Sequence, residues 1–304
     1  MKDTKRRASG KLWERLQTFK KTIRRSKTLS IQHSDSTPTI KTSEIEKINE
    51  KLQFLYNYLE PYDKIVEFWN DTVEARAELF KPESNLTIGS YVDKFPILKS
   101  AEGYKLYKID FDHYYKDKSN NLLHKWTEIN TKLINIAEKK NKPEIKNLLT
   151  FKSNIIGFFL LPYLLSTPVL GKRKLTQTKR STKLESADSF FIFVSCSSRI
   201  QEKLVEVRRL LQVNKQTLQP TVILVGENKA DITEAYLAID DSLYNCEGPI
   251  EAIDACFKSY TALNAKFPES AHHIWMLIQK YIYNISTVHD KNYTTVNSLI
   301  SDLT

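Results

Sequence analysis

The sequence predicts an α+β protein: an N-terminal all-helical domain followed by a small α/β domain with a short mixed sheet. Three observations predict it. Between about residues 45 and 137 apolar residues recur at steps of three and four, the period of helices with one buried face. Two apolar, β-branched runs, Phe190-Phe191-Ile192-Phe193-Val194 and Thr221-Val222-Ile223-Leu224-Val225, then enclose a charged helical stretch from Arg199 to Leu211. After them the helical period returns in two amphipathic stretches that end near Ile285. A chain of 304 residues has room for two domains, and its 41% apolar content is that of a protein with a buried core.

Charge sets the outer divisions. The formal net charge is +10, yet residues 1–30 alone hold eleven Lys/Arg against Asp3 and Glu14. A second run, Lys172, Arg173, Lys174, Lys179, Arg180 and Lys183, contains no acid, so the remaining chain is mildly acidic. The expected organisation is a basic arm without fixed structure at 1–42, a helical domain at 43–170, a basic linker at 171–187, the α/β domain at 188–286 and a frayed tail at 287–304.

The arm carries its own pattern. Leu12, Leu16, Phe19 and Ile23 fall at steps of four, three and four with Trp13 beside them, while Lys11, Arg15, Lys20, Lys21, Arg24 and Arg25 take the other positions. This is a basic amphipathic helix in waiting, of the kind that meets anionic membranes, partner grooves or nucleic-acid phosphates. A solvated tail with accidental periodicity is the competing explanation. Ser9, after Arg6-Arg7-Ala8, is a phosphorylation candidate whose phosphate would cancel part of the local charge.

The helical elements follow in order. Ser43-x-x-Glu46 is a capping-box pattern, followed by Ile45, Ile48, Leu52, Leu55 and Leu59 on one helical face. A short dimeric coiled coil is an alternative use of that face. Pro61 suits the first turn of a second helix bearing Ile65, Phe68, Trp69, Val73 and Leu79. A short helix near Ile88–Phe95, one over Ala101–Tyr115 and one carrying Leu122, Trp126, Ile129, Leu133 and Ile136 come next. The apolar run 155–170 is shorter than the ~20 residues a membrane-spanning helix needs and holds two prolines, so a buried helix is expected and no transmembrane segment.

In the C-terminal half, the first two strands should be parallel neighbours joined by the helix between them. Tyr236–Ile239 and Leu243-Tyr244 read as a strand pair turned at Asp240-Asp241-Ser242. Pro249 opens a helix with Ile250, Ile253, Phe257 and Tyr260 inward; Pro268 stops it, and Ser270 is placed to cap the last helix.

Several phrases occur together here: Phe95-Pro96-Ile97-Leu98 with Gly103-Tyr104, Leu161-Pro162-Tyr163, Ala252-Ile253-Asp254-Ala255-Cys256-Phe257-Lys258, Leu263-Asn264 and Trp275. In these the chain resembles, over roughly residues 45–285, a family of animal proteins, some labelled sterile alpha motif domain-containing protein 3-like. The resemblance implies a shared fold and carries no catalytic residues with it. Some relatives include a sterile alpha motif or a zinc finger; this sequence shows neither pattern.

Chemistry-bearing residues are scattered. Cys196, Cys246 and Cys256 have no paired spacing, and with no apolar signal region the expectation is a reducing intracellular compartment, nuclear and cytoplasmic not separated. Adjacent His272 and His273 fall on different helix faces, so no metal-ligand pair is expected. Val225-Gly226-Glu227-Asn228-Lys229 lacks the remaining residues of a phosphate loop. Asp240, Asp241 and Asp254 are read as solvated turn and helix-start carboxylates. The functional expectation is a non-catalytic interaction protein without cofactor. Residues 1–30 would attach it to nucleic acid or an anionic membrane surface, and the folded part to a protein partner. The alternative is a metal-dependent enzyme of nucleic-acid or nucleotide chemistry using those three aspartates.

Overall fold

A computed structural model describes residues 39–80, 86–173, 177–214 and 216–304. The fold is α+β, with an N-terminal helical region and a small four-stranded mixed sheet in the C-terminal part. Two compact units make up the chain. One comprises the described residues up to Tyr114 together with Ser259–Ala265, and the other the described residues of Tyr115–Lys258 with Lys266–Thr304.

The first unit is helical. Helix α1 (Thr39–Asn57) starts before Ser43, so the capping-box pattern at Ser43 lies inside it. Of its apolar stripe Leu55 is fully buried, whereas Ile45 is 61% exposed. Pro61 is the N-cap of α2 (Tyr62–Asp71) rather than its first residue. The single second helix expected from sequence is divided at Thr72, whose hydroxyl donates to the Phe68 carbonyl, 2.7 Å, and α3 (Val73–Ala77) follows. Helix α4 (Ile88–Lys94) is capped by Thr87, whose hydroxyl accepts from the Ser90 amide at 3.0 Å. Helix α5 (Gly103–Tyr115) begins where Gly103 lies against the Leu98 carbonyl; a Cβ there would sit 2.4 Å from that oxygen. The core is aromatic: Trp69, Tyr91, Phe95, Tyr107 and Phe111 are all buried.

The second unit combines helices with the sheet. Helix α6 (Asn121–Glu138) buries Leu122, Trp126, Ile129, Asn130, Leu133 and Ala137 along one face. Helix α7 (Pro143–Leu149) starts on its proline, and α8 (Ile156–Leu164) is the apolar run, buried from Ile156 to Pro162. It packs on α6 with the rings of Trp126 and Phe158 stacked at 3.4 Å. The contact needs glycine at 157, because the Asn130 carboxamide oxygen accepts from its amide at 2.7 Å and a Cβ would meet that oxygen. No helix among the described residues is long and apolar enough to cross a membrane.

Residues 171–187, expected as a linker, are built differently. Strands β1 (Val169–Arg173) and β2 (Gln177–Arg180) form an antiparallel hairpin. Helix α9 (Lys183–Phe190) then begins on a complete capping box between Thr182 and Glu185. Low apolar content hid this piece, since cross-strand backbone pairing and a cap do not need an apolar period.

The main sheet has the order β3-β4-β5-β6: β3 (Phe191–Val194) runs parallel to β4 (Thr221–Val225), and β5 (Glu234–Ile239) and β6 (Ser242–Cys246) add antiparallel. The parallel first pair and the turn at Asp240, with φ of 52°, agree with the sequence reading. Helix α10 (Ile200–Val213) covers one face, where Ile200 and Leu204 pack with Ile192, Val194, Ile223 and Val225. The other-face residues Phe191, Val222, Leu224 and Leu237 are buried as well, so both faces are covered as the continuous apolar runs implied.

Helix α11 (Pro249–Ala262) begins on its proline. It is buried without interruption from Ala252 to Leu263 and ends at Asn264 in the left-handed region, φ 49°. Helix α12 (His272–Leu277) continues as a π-helical turn, Ile278–Ile282. A 3-10 turn at Glu269–Ala271 precedes it, so Ala271 is the N-cap and Ser270 instead accepts from the Ser181 hydroxyl at 3.0 Å. Residues 287–304, expected to fray, include helix α13 (Thr294–Leu303), which buries Val296, Leu299 and Leu303. This stripe of three at helical spacing was too short to stand out.

Phe257→Ala and Ile278→Ala should each lower the unfolding free energy by about 2–5 kcal/mol in urea titrations, since both side chains are fully enclosed. Leu299→Ala should also be destabilising; an unchanged midpoint would return 294–303 to the status of a tail.

Candidate functional site

The polar groups of the described residues gather in buried networks and in exposed segments. In the first unit Arg76 on α3 is 1% exposed. Its guanidinium makes two parallel bonds to Asp110 of α5, 2.7 and 2.8 Å, donates to the Tyr91 hydroxyl at 3.1 Å and to the Trp69 carbonyl, and lies 3.6 Å over the Trp69 ring. Burial alone would favour losing the proton, but Asp110 and Tyr91 more than offset it, so the Arg76 pKa is raised and the cation is held. Such a bidentate, stacked cation fixes α2, α3 and α5 in one arrangement.

In the second unit the centre is on α11. Asp254 and Lys258, one helical turn apart, are both fully buried and 2.8 Å apart. The Tyr283 hydroxyl donates to Asp254, and the Lys258 ammonium donates to the Ser119 hydroxyl at 3.2 Å. The Phe257 and Tyr283 rings stack at 4.1 Å beside this pair. The π turn brings Tyr283 here, its amide bonding back to the Ile278 carbonyl at 3.1 Å. Fully buried Gln279 then donates to both oxygens of Asp290, 2.9 and 3.0 Å, and ties down the following loop.

Asp254 is therefore not a solvated helix-start carboxylate. Nor does it meet the other two aspartates: Asp240 and Asp241 are exposed at the β5–β6 turn, where Asp241 pairs with Arg208 at 3.0 Å. Among the described residues no group of three His, Cys, Asp or Glu is arranged to hold a metal ion. Cys256 is a core thiol donating to the Pro220 carbonyl, 3.4 Å. The Val225–Lys229 segment is an ordinary loop in which the Asn228 side chain accepts from the Ala230 amide at 2.8 Å.

His273 is fully buried, with Nε2 3.4 Å from the Ser186 hydroxyl and Nδ1 lacking a hydrogen-bond partner among the described residues. Burial, then Lys183 and His272, pushes its pKa down to about 4. Cys196 lies exposed between β3 and α10, where a hydrogen bond from Ser198, with Sγ and Oγ 3.2 Å apart, lowers its pKa. A cleft of about 370 Å³ opens beside α6 and α8, with Ile134, Leu149, Phe151 and Ile156 among its apolar lining and Glu138 and Lys152 among its polar lining.

The candidate attachment residues Lys11, Arg15, Lys20, Lys21, Arg24 and Arg25, the apolar face Leu12, Trp13, Leu16, Phe19 and Ile23, and Ser9 lie outside the described residues. No protein-family model, no curated protein and no solved structure matches the chain.

Two outcomes follow from the geometry. Asp254→Ala strands the Lys258 ammonium in the core and should remove about 3–5 kcal/mol of stability, whereas Asp254→Leu with Lys258→Met should recover much of it. A double variant no better than the single one would show that the pair is not the source of the loss. His273, neutral when folded, takes up a proton on unfolding below pH 6.5. Its contribution is complete above that pH and fades as pH falls to about 4, a loss on the order of 3 kcal/mol. His273→Gln should flatten the stability profile in that window; an unchanged slope would assign the acid sensitivity elsewhere.

Proposed function

We propose that this is an intracellular, non-catalytic interaction protein: a folded body that meets a protein partner, with a basic N-terminal arm that attaches to an anionic one. The observation that carries the reading is the segregation of charge. Eleven Lys/Arg in residues 1–30 face two acids and include an apolar stripe at helical spacing, Leu12, Leu16, Phe19 and Ile23. The acidic residues on which a metal-dependent reaction would depend support the same reading, since Asp254 is enclosed with Lys258 and Tyr283 and stands apart from Asp240 and Asp241.

Trp13 offers a direct test. The other three tryptophans, Trp69, Trp126 and Trp275, are buried at 0–1% exposure. A fluorescence shift on adding vesicles therefore reports Trp13. With vesicles of phosphatidylserine and phosphatidylcholine the full chain should show a blue shift and gain helix signal. Each basic residue contributes about 1 kcal/mol at such a surface, so replacing the six of residues 11–25 by Gln should abolish binding at low salt. Leu16→Ser with Phe19→Ser should weaken vesicle binding and leave phosphate-driven binding to polyanions intact. No shift with the unaltered chain would overturn the attachment reading of residues 11–25. A phosphate on Ser9 should weaken the attachment.

A further inference from the structure

Helix α1 (Thr39–Asn57) is anchored in its C-terminal half. There Leu55 is fully buried, the Phe54 ring meets Phe68 of α2 edge-on at 5.2 Å, Tyr56 lies against Phe95 at 5.0 Å, and the Lys51 ammonium pairs with Asp71. From Glu44 to Glu50 the helix stands clear. Ile48 is half-buried and the other six residues are exposed. Among the described residues none of these seven makes a side-chain hydrogen bond, ion pair or ring contact with another element.

Helical turns in proteins are held mostly by the packing of an apolar face, and these turns carry one. Ile45, Ile48, Leu52 and Leu55 take successive a and d positions of a heptad, while Glu46, Lys47 and Glu50 fall outside the stripe. The first unit encloses the stripe at Leu55, leaves Ile48 and Leu52 half-covered and leaves Ile45 61% exposed.

We propose that the free half of α1 is a self-association site, on which a second copy of the chain packs its own α1 antiparallel, Ile45 of each against Ile48 of the other. The flanking charges favour a second copy and set its orientation. Glu44 and Lys51 precede successive a positions, so both flank the stripe on one side. In an antiparallel pair these flanking positions face each other. The register that sets Ile45 against Ile48 also sets Glu44 against Lys51, and the two-fold relation makes that contact twice. A parallel pair would set Glu44 beside Asn49 and Lys51 beside Tyr56, with no match of charge. Sliding the antiparallel pair to bring Ile48 against Leu52 would oppose Lys51 to Lys51 and call on Leu55, which the unit already encloses. Lys51 is held at the edge of the stripe by Asp71 with its side chain 27% exposed, and an ammonium has three donors. The antiparallel arrangement also places the two anchored halves at opposite ends of the helix pair. Two isoleucines from each copy, with Leu52 at the edge, make a small face, so the dimer is weak and concentration-dependent. The inference gives the folded body of the reading above a partner and rests on that part of it; the arm is not involved.

Sedimentation equilibrium of the full chain, from low to high micromolar concentration, measures the association. The mean mass should rise from the monomer towards twice that value. Ile45→Asp should hold it at the monomer with an unchanged circular dichroism spectrum, because the side chain is exposed. Glu44→Lys should raise the dissociation constant roughly tenfold, since both opposite-charge pairs become like-charge pairs. Mixing that variant with an equal amount of a Lys51→Glu chain should restore association, because each pair in the mixed dimer is again opposite in sign. A mass fixed at the monomer, a dimer that Ile45→Asp leaves intact, or a Glu44→Lys defect that the second variant does not rescue would overturn the proposal. So would loss of association on Leu16→Ser with Phe19→Ser, which would make the arm the occupant of this face. A monomeric chain whose Trp13 still shifts with vesicles would overturn this inference and leave the attachment of the arm standing.

Discussion

The second unit depends on one interaction, the ion pair of Asp254 and Lys258 inside α11. Taking two charges out of water carries a penalty of several kcal/mol each, which mutual attraction offsets only with good geometry and further hydrogen bonds. The helix supplies the geometry, because residues four apart lie on one face. The further bonds come from Ser119, just before α6, and from Tyr283, at the end of the π turn. The pair thereby sets where these segments must lie. A displaced α6 would remove a partner of the ammonium, and a regular α-helical turn in place of Ile278–Ile282 would move the Tyr283 hydroxyl away from the carboxylate. The stacked Phe257 and Tyr283 rings keep water from relieving either error.

The first unit solves the same problem with different chemistry. Arg76 distributes its donors over Asp110, Tyr91, Thr72 and the Trp69 carbonyl while its flat face lies on the Trp69 ring. Lysine could not replace it, having neither the fork nor the planar face. In both units the buried charges join segments distant in sequence, 34 residues apart for Arg76 and Asp110 and 139 for Lys258 and Ser119. They act as registration points in cores made mostly of aromatic and aliphatic contacts, which tolerate sliding better than a hydrogen-bonded pair does.

What was legible in the sequence followed from periodicity. The β-branched runs gave β3 and β4 as parallel neighbours, Pro249 gave the start of α11, and the apolar run gave the buried α8. The polar interior was not legible for a definite reason. An aspartate followed four residues later by a lysine on a helix is also the commonest pattern of a solvated face, and Arg76 in Val73-Glu74-Ala75-Arg76-Ala77 looks like an exposed turn. Their burial is a property of what packs around them, including Tyr283 and Trp69, whose proximity no local window contains. The one local hint was the density of apolar neighbours around Asp254, with Ala252, Ile253, Ala255, Cys256 and Phe257 leaving no polar face. The β1–β2 hairpin was hidden by the opposite error, charge taken as a sign of missing structure.

That hairpin obeys the same rule of matching as the interior. Like charges directly opposite on paired strands destabilise them, and a run of unmatched cations should favour an open chain. The register removes the direct conflicts. Lys172 stands opposite Thr178, Arg173 opposite Gln177 and Arg180 opposite Val169, so in each of these pairs a cation faces an uncharged residue. A shift of β2 by one residue would set Thr178 against Arg173 and Lys179 against Lys172, placing two lysines at directly paired positions.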